Sequence, residues 1–222
     1  VQKDPKTYEH INPEIVGNNR NIVVSDQSGR SNIMSRLKTI GIEIAESDPK
    51  IKKLLEEVKD REFIGYSYDG ADASFELLAR RIIAKIPRYI SIKEYDVSVT
   101  KNDFDKIVSK AKAKLEVDGE KIICEGEGNG PVNALDNAIR NNVDKLDKYA
   151  DYLKDLKLVD YKVRILNTGT EAVTRVSIES TDSKGKSWFT IGVSPNIIEA
   201  SFRALVDSLD YKLFKDNAPA SN

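Results

Sequence analysis

Two similar segments follow one another in the second half of the chain, and each reads as three strands and a helix. In the first, ISIKEYDVSV and KIVSKAKAKLEV alternate apolar and polar residues, an Asp-Gly pair predicts a tight hairpin, and EKIICEGEG leads into PVNALDNAI. In the second, LVDYKVRIL, VTRVSIEST and SWFTIGV precede the helical pattern of SPNIIEASFRALVDSLDYKLF. A shift of 64 residues aligns Pro131 with Pro195 and Gly128 with Gly192. The repeat predicts a pseudo-symmetric α+β domain of two β-β-β-α units over residues 88–214.

Each unit passes from its third strand into its helix through a turn that contains glycine and proline. In the first turn, Gly126, Gly128 and Gly130 allow a sharp bend or a close approach, and we expect Gly130 to need one of these. Pro131 lies at the expected first residue of the helix, a position at which proline is favourable. The N–H groups and positive dipole of a helix N-terminus suit a carboxylate or a phosphate, but few Lys or Arg residues lie nearby.

These turns match neither a P-loop nor a dinucleotide-binding motif, because the required lysine and glycine spacings are missing. We therefore expect a paired site for a small carboxylate at the two helix N-termini. A purely structural role, in which the turns only fold the repeat, remains open at this point.

The rest of the chain divides into segments of different pattern. Residues 1–30 are irregular and rich in Pro, Gly and Asn, which indicates a linker. Residues 31–87 show the spacing of short amphipathic helices, the first of which Ser31 is expected to cap, and these predict small helical subdomains. Residues 215–222 predict a disordered tail.

Composition excludes several functional classes. The chain has 35 basic and 36 acidic residues, so its net charge of -1 provides no field that would attract nucleic acid or an anionic membrane. The longest apolar runs fall well short of the ~20 residues of a membrane-spanning helix. A single cysteine, Cys124, excludes internal disulfides and favours the reducing cytoplasm. A single histidine, His10, cannot support the usual zinc sites.

Four blocks of sequence, in order, carry a resemblance to a known family. They are TYEHINPEIVGNNRNIVVSDQSGRSNI, GYSYDGADASFELLARR, EGNGPVNALDNAI with LVDYKVRIL, and IGVSPNIIEASFRALVDSLDYKL. Together they resemble the linker, helical subdomains and C-terminal regulatory domain of the 2-isopropylmalate/citramalate synthase family, in particular its long-form citramalate synthase branch. The absence of an initial Met agrees with the expectation that the chain is a piece of a longer polypeptide.

The resemblance implies a catalytic TIM barrel before residue 1, which condenses a 2-oxo acid with acetyl-CoA. In that barrel an H-x-H pair and acidic residues hold a divalent metal, so no cofactor or metal is expected within these 222 residues. Acyltransfer by the fragment alone is likewise not expected. No catalytic residue transfers with certainty to this sequence, and Tyr8 and His10 are weak candidates.

The resemblance further implies a homodimer that binds an amino-acid effector where two regulatory domains meet. Isoleucine, the end product of the citramalate route, would place its carboxylate at the two helix N-termini and its side chain against Val132, Ala134, Ile197 and Ala200. Asp160, beside Tyr161, is a candidate acceptor for the ammonium group. The expected effector-binding residues are Gly128, Gly130, Pro131, Val132, Asn133, Ala134, Asp160, Tyr161, Ser194, Pro195, Asn196, Ile197 and Ala200.

Two other interpretations remain at this point. In the first, the chain is the same region of a 2-isopropylmalate synthase, with leucine as effector. In the second, it is a stand-alone amino-acid-binding module. Leucine and isoleucine differ in the place of one methyl group, a difference worth ~1–3 kcal/mol in a pocket. No single residue decides between them.

Overall fold

The computed structural model describes residues 15, 29–84, 86–101, 105–117, 119–166 and 172–219, apart from the side chain of Asp147. Its described part confirms the α+β class, with helices first and two three-stranded antiparallel sheets after them. The linker expected over residues 1–30 lies almost entirely outside the described residues. Within the described part, no helix combines the length and the apolar character that crossing a bilayer requires.

Three helices form the predicted helical region: α1 (Arg30–Thr39), α2 (Pro49–Phe63) and α3 (Asp72–Ile83). Helix α2 begins as its sequence predicts, because the Asp48 carboxylate accepts a hydrogen bond of 2.8 Å from the Lys50 N–H and Pro49 follows the cap. The expected cap of α1 is wrong, since Ser31 lies inside the helix and Gly29 precedes it without a side-chain cap. The three helices enclose a small core of their own. Its largest fully buried members are Ile33, Leu37, Ile51, Leu54, Tyr68 and Phe75.

The first unit of the repeat consists of β1 (Ser91–Lys101), β2 (Ile107–Val117), β3 (Glu120–Gly128) and α4 (Pro131–Arg140). A 3₁₀ helix (Val143–Tyr149) and the short α5 (Ala150–Leu153) lead to the second unit. That unit consists of β4 (Lys157–Ile165), β5 (Thr174–Thr181), β6 (Ser187–Ser194) and α6 (Ile197–Lys215). The strand orders are β1-β2-β3 and β4-β5-β6, so both predicted β-β-β-α units are present.

The two units correspond with a shift of 66 residues, and the predicted shift of 64 is wrong. An irregularity interrupts the first strand pair of each unit at equivalent places, between Ile92 and Glu94 and between Leu158 and Asp160. Helices α4 and α6 also begin 66 residues apart, at Pro131 and Ile197. The two prolines are therefore not equivalent, because Pro131 is the first residue of its helix whereas Pro195 precedes the cap of the other.

One buried core joins both units, with α4 and α6 packed on the inner faces of their sheets. Because side chains alternate along a strand, small or apolar residues of β2 and β5 point inward and polar ones outward. Cys124 is fully buried in this core, and burial raises the pKa of its thiol. This cysteine is therefore a packing residue.

The predicted disorder from residue 215 onward does not apply to residues 215–219. Lys215 is the last residue of α6, and Ala218 is buried beside the core. The Tyr149 hydroxyl donates a hydrogen bond of 3.1 Å to the Pro219 carbonyl. The final three residues lie outside the described part of the chain.

Candidate functional site

The first corner, residues 128–132, leaves a helix N-terminus without a side-chain cap. Gly130 occupies the cap position with φ -160° and ψ 166°, an extended conformation that any residue adopts, and it carries no capping group. An added Cβ at Gly130 would meet no atom within 4 Å. The expectation that Gly130 needs a positive φ or a close approach is therefore wrong. The backbone N–H groups at the start of α4 are left available to an external acceptor.

The close approach occurs instead at the preceding glycines of β3. An added Cβ at Gly128 would lie 2.6 Å from the Ala134 nitrogen, and one at Gly126 would lie 2.7 Å from the Ala134 oxygen. Asn133 supports the same turn, because its side-chain oxygen accepts a hydrogen bond of 3.2 Å from the Asn129 N–H. These contacts fix the position at which α4 presents its N-terminus.

The second corner, residues 194–198, is closed by its own side chains. The Asn196 side-chain oxygen accepts hydrogen bonds from the N–H groups of Ile198 (2.8 Å) and Glu199 (3.3 Å). The Ser194 hydroxyl oxygen accepts another, of 3.1 Å, from the Asn196 N–H. The donors that an effector carboxylate would need are therefore already paired at this corner. The two corners are related by the repeat but are not chemically equivalent.

An exposed apolar residue lies beside each corner on the edge strand of its sheet. Val99 of β1 pairs with Ser109 of β2, and Ser109 pairs with Gly128 of β3. The three residues therefore form one row across the sheet, on the side that faces the helix. In the second unit the equivalent row ends in Ile165, opposite Thr174. Val99 and Ile165 keep exposed fractions of 57% and 66%. Each row therefore brings an apolar surface next to a helix N-terminus.

These row residues are not among the site residues predicted from the sequence. The alternation of Tyr95, Val97 and Val99 could have indicated which side of β1 faces the helix. Ser109 carries a further feature that no pattern shows. Its hydroxyl is buried beside the first corner without a hydrogen-bond partner in the described part of the chain.

Several predicted site residues lie elsewhere. Ala134 and Ala200 are completely buried against strand glycines, so they pack the helices on the sheets and do not line a surface. The Asp160 carboxylate is engaged by Lys162 at 2.5 Å and by the Tyr161 N–H at 2.9 Å. This pairing lowers the pKa of Asp160, chiefly through the Lys162 side chain.

The remaining predicted residues are distributed as follows. The Tyr161 hydroxyl and the Ser201 hydroxyl lie 2.8 Å apart, between β4 and α6. Burial is the largest influence on this phenol and raises its pKa. Pro131 and Val132 are half-buried at the first corner, while Pro195 and Ile197 are exposed at the second. Tyr8 and His10 lie outside the described residues.

The described residues show no metal-binding cluster. No group of three or more His, Cys, Asp or Glu side chains within the described ranges is arranged to hold an ion. The chemistry available at the corners is therefore that of backbone N–H groups, hydroxyls and apolar side chains. Such a set of groups can bind a small molecule that carries a carboxylate and an apolar side chain.

Comparison with known proteins places the chain in a family. Residues 69–213 match the LeuA allosteric (dimerisation) domain, and residues 1–63 match the homocitrate synthase post-HMGL domain-like family. The chain is 48% identical over 219 residues to the (R)-citramalate synthase of Aquifex aeolicus, and 44% identical over 218 residues to that of Geobacter sulfurreducens. These alignments cover 97% of this chain but only 41% and 40% of the relatives.

A more distant relative is the (R)-citramalate synthase CimA of Methanocaldococcus jannaschii, at 32% identity over 214 residues. The chain thus spans about two-fifths of the length of the curated relatives that it matches. The matched allosteric domain includes α3 together with both β-β-β-α units. With this match over more than half of its residues, the chain belongs to the LeuA allosteric (dimerisation) domain family.

Proposed function

We propose that this chain is the part of a citramalate synthase that binds isoleucine as a feedback inhibitor, while the condensation of pyruvate with acetyl-CoA takes place elsewhere in the enzyme. The similarity to (R)-citramalate synthases over 97% of the chain supports the enzyme. The uncapped N-terminus of α4 beside exposed apolar side chains supports the ligand class, and it is the observation that carries the proposal.

In this proposal the first corner receives the carboxylate. The N–H groups of Val132 and Asn133 are the donors, because Pro131 has none and the cap residue Gly130 supplies no competing side chain. The apolar side chain of the ligand lies against Val99 and Ile107, both more than half exposed on the helix-facing side. The acidic residue Asp160 has no part in the site, since Lys162 already pairs with it.

We further propose that the chain acts as a homodimer in the cytoplasm. The description of its family as a dimerisation domain supports the dimer. A second copy would cover the exposed apolar rows and complete the wall around the ligand. The acyltransfer reaction itself is not expected from these residues.

Exchanging the caps of the two helices tests the ligand placement. In Gly130→Asn the new side chain caps α4 as Asn196 caps α6, and it competes with the carboxylate for the same N–H groups. We expect isoleucine to bind at least about tenfold more weakly, because a hydrogen bond to a charged group contributes ~1.5–3 kcal/mol. Calorimetric titration of the purified chain with isoleucine measures this.

The matched control is Asn196→Gly, which removes the cap of α6. It should cost a few tenths of a kcal/mol in stability and leave isoleucine affinity unchanged. If Asn196→Gly weakens binding and Gly130→Asn does not, the carboxylate lies at the second corner and the placement is wrong. Titration with leucine in parallel distinguishes the citramalate synthase assignment from the 2-isopropylmalate synthase alternative, because stronger binding of leucine would favour the latter.

A further inference from the structure

The three N-terminal helices contact the second unit of the repeat and avoid the equivalent surface of the first. In β6, Ile191 and Val193 point to the outer face of the sheet and are only 2% and 3% exposed. Ile191 belongs to the core that α1–α3 enclose, and its N–H donates a hydrogen bond of 3.0 Å to the Ser74 hydroxyl of α3. Helix α3 is thereby attached directly to the strand that leads into the second corner.

The 66-residue shift explains why only one unit is covered. The residues of β3 that correspond to Ile191 and Val193 are Glu125 and Glu127. Both are exposed and pair with lysines of β2, Glu125 with Lys112 at 2.8 Å and Glu127 with Lys110 at 3.0 Å. The same places in the two units therefore carry apolar and charged side chains, and only the apolar pair offers a surface on which helices can pack.

Helix α6 is also longer than α4, and its additional residues contact the helical region. Arg140, the last residue of α4, corresponds to Val206, so residues 207–215 of α6 extend beyond the length that the units share. Within this extension, Tyr211 donates a hydrogen bond of 3.1 Å to the buried Glu76 of α3, and the Lys215 ammonium lies 2.9 Å from the same carboxylate. The extension is thus the part of α6 that contacts α3.

The centre of this contact is a cluster of three side chains, Arg81 of α3 with Asp207 and Asp210 of α6, which we call the joint. The Arg81 guanidinium donates to Asp207 at 3.0 Å and to Asp210 at 2.7 Å. The second oxygen of the Asp210 carboxylate accepts a hydrogen bond of 3.2 Å from the Ile90 N–H, immediately before β1. Burial raises the pKa of Asp210 to about 7, while Arg81 acts in the opposite direction.

Strand β1 connects the joint with the proposed ligand site. Its first residue follows Ile90, and Val99 near its other end lies in the row of the first corner. Between them, the Tyr95 ring packs edge-on against Phe202 of α6, with 5.2 Å between ring centroids. The joint is therefore the place at which the ligand-bearing unit, the α6 extension and the helical region all meet.

We propose that the joint couples occupancy of the first corner to the packing of α3, so that the first unit binds the effector and the second unit transmits its binding to the helical region. This inference rests on the proposed function. It assigns different roles to the two halves of a repeat, and it identifies Arg81, Asp207 and Asp210 as the residues through which they communicate.

Hydrogen exchange of the purified chain, with and without isoleucine, tests the coupling. In the unmodified chain, isoleucine should slow amide exchange at the first corner and also in α3 by at least about threefold, because local opening is suppressed in the coupled element. In Asp210→Asn, calorimetric affinity for isoleucine should stay within about threefold of the unmodified value, and the slowing in α3 should disappear. Arg81→Lys keeps the charge but loses the planar guanidinium that bridges the two carboxylates, and it should show the same loss if Asp210→Asn fails to fold.

Lys154→Gln is the matched control, because it removes an ion pair of two exposed side chains, Lys154 and Asp151, that involves no residue of α3 or α6. It should preserve both binding and the slowing in α3. Absence of any isoleucine binding to the unmodified chain overturns the proposed function, and the coupling with it. Binding with exchange slowed only in the first unit overturns the coupling alone, and unchanged slowing of α3 in both joint variants shows that the joint is not the route.

Discussion

Among the glycines of the described residues, Gly192 has the least room for an added side chain. An added Cβ would overlap the carbonyl oxygen of Ala200 and lie 3.0 Å from the Ala204 nitrogen, and both atoms belong to the backbone of α6. Neither can move without moving the helix. We therefore expect Gly192→Ala to lower the free energy of unfolding by about 1–3 kcal/mol or more, as measured by denaturant titration.

Gly130→Ala is the control for this substitution. The added Cβ meets open space and the extended φ suits alanine, so the cost should stay below about 1 kcal/mol and arise from the weaker cap alone. Equal losses in the two variants would contradict the packing argument.

The sequence identified the glycines of the first turn but could not rank them. The sequence does not distinguish Gly126, Gly128 and Gly130, because each is separated from the next by one other residue. Which of them contacts the helix depends on how β3 is aligned with α4. Aligning Pro131 with Pro195 placed the two units two residues out of register, because proline is tolerated both at the first helical position and just before a cap. Asn196 followed by a helical pattern is a typical cap signal, and giving it priority would have aligned the units correctly.

At the scale of elements, Ile191 decides which unit the helical region packs on. Ile191→Glu introduces into the second unit the charge that Glu125 carries in the first, with no lysine opposite, since Ile191 pairs with Ser177. Because the new carboxylate would be buried and unpaired, we expect a loss of roughly 3 kcal/mol or more in stability. Hydrogen exchange should rise in α1–α3 before it rises in β4–β6.

The reciprocal substitution, Glu125→Ile, is the control. It removes one exposed ion pair, with Lys112, and should change stability by less than about 1 kcal/mol. If Ile191→Glu leaves exchange in α1–α3 unchanged, the outer face of β6 does not hold the helical region.

Most elements could be predicted from the sequence, because alternation and helical spacing report local structure directly. In the part of the chain that the structure describes, all six strands and the longer helices lie close to their expected positions. The packing between elements was not predicted. Recognising that Ile191 and Glu125 occupy equivalent places requires the correct shift between the units, and the contact of α3 with α6 joins residues more than 120 positions apart.

At the scale of the whole molecule, the two sheets differ in how their faces are covered. The outer face of the first sheet carries paired charges such as Lys114 with Glu94 at 2.5 Å, which suit contact with water. On the helix-facing side, apolar side chains remain exposed next to both corners. They are Val99 and Ile107 in the first unit and Val163 and Ile165 in the second. Edge strands with exposed apolar residues favour association with another copy.

We therefore expect the chain to sediment at micromolar concentration with the mass of two copies rather than the 24.8 kDa of one. The double substitution Val163→Lys and Ile165→Lys should shift the mass toward that of a single copy, because it places two charges where apolar surface would be buried. Val159→Lys is the matched control, since Val159 is an exposed valine of the same strand at the opposite end, next to the strand irregularity. A single-copy mass for the unmodified chain would contradict the dimer, and loss of association in Val159→Lys alone would move the interface to the other end of β4.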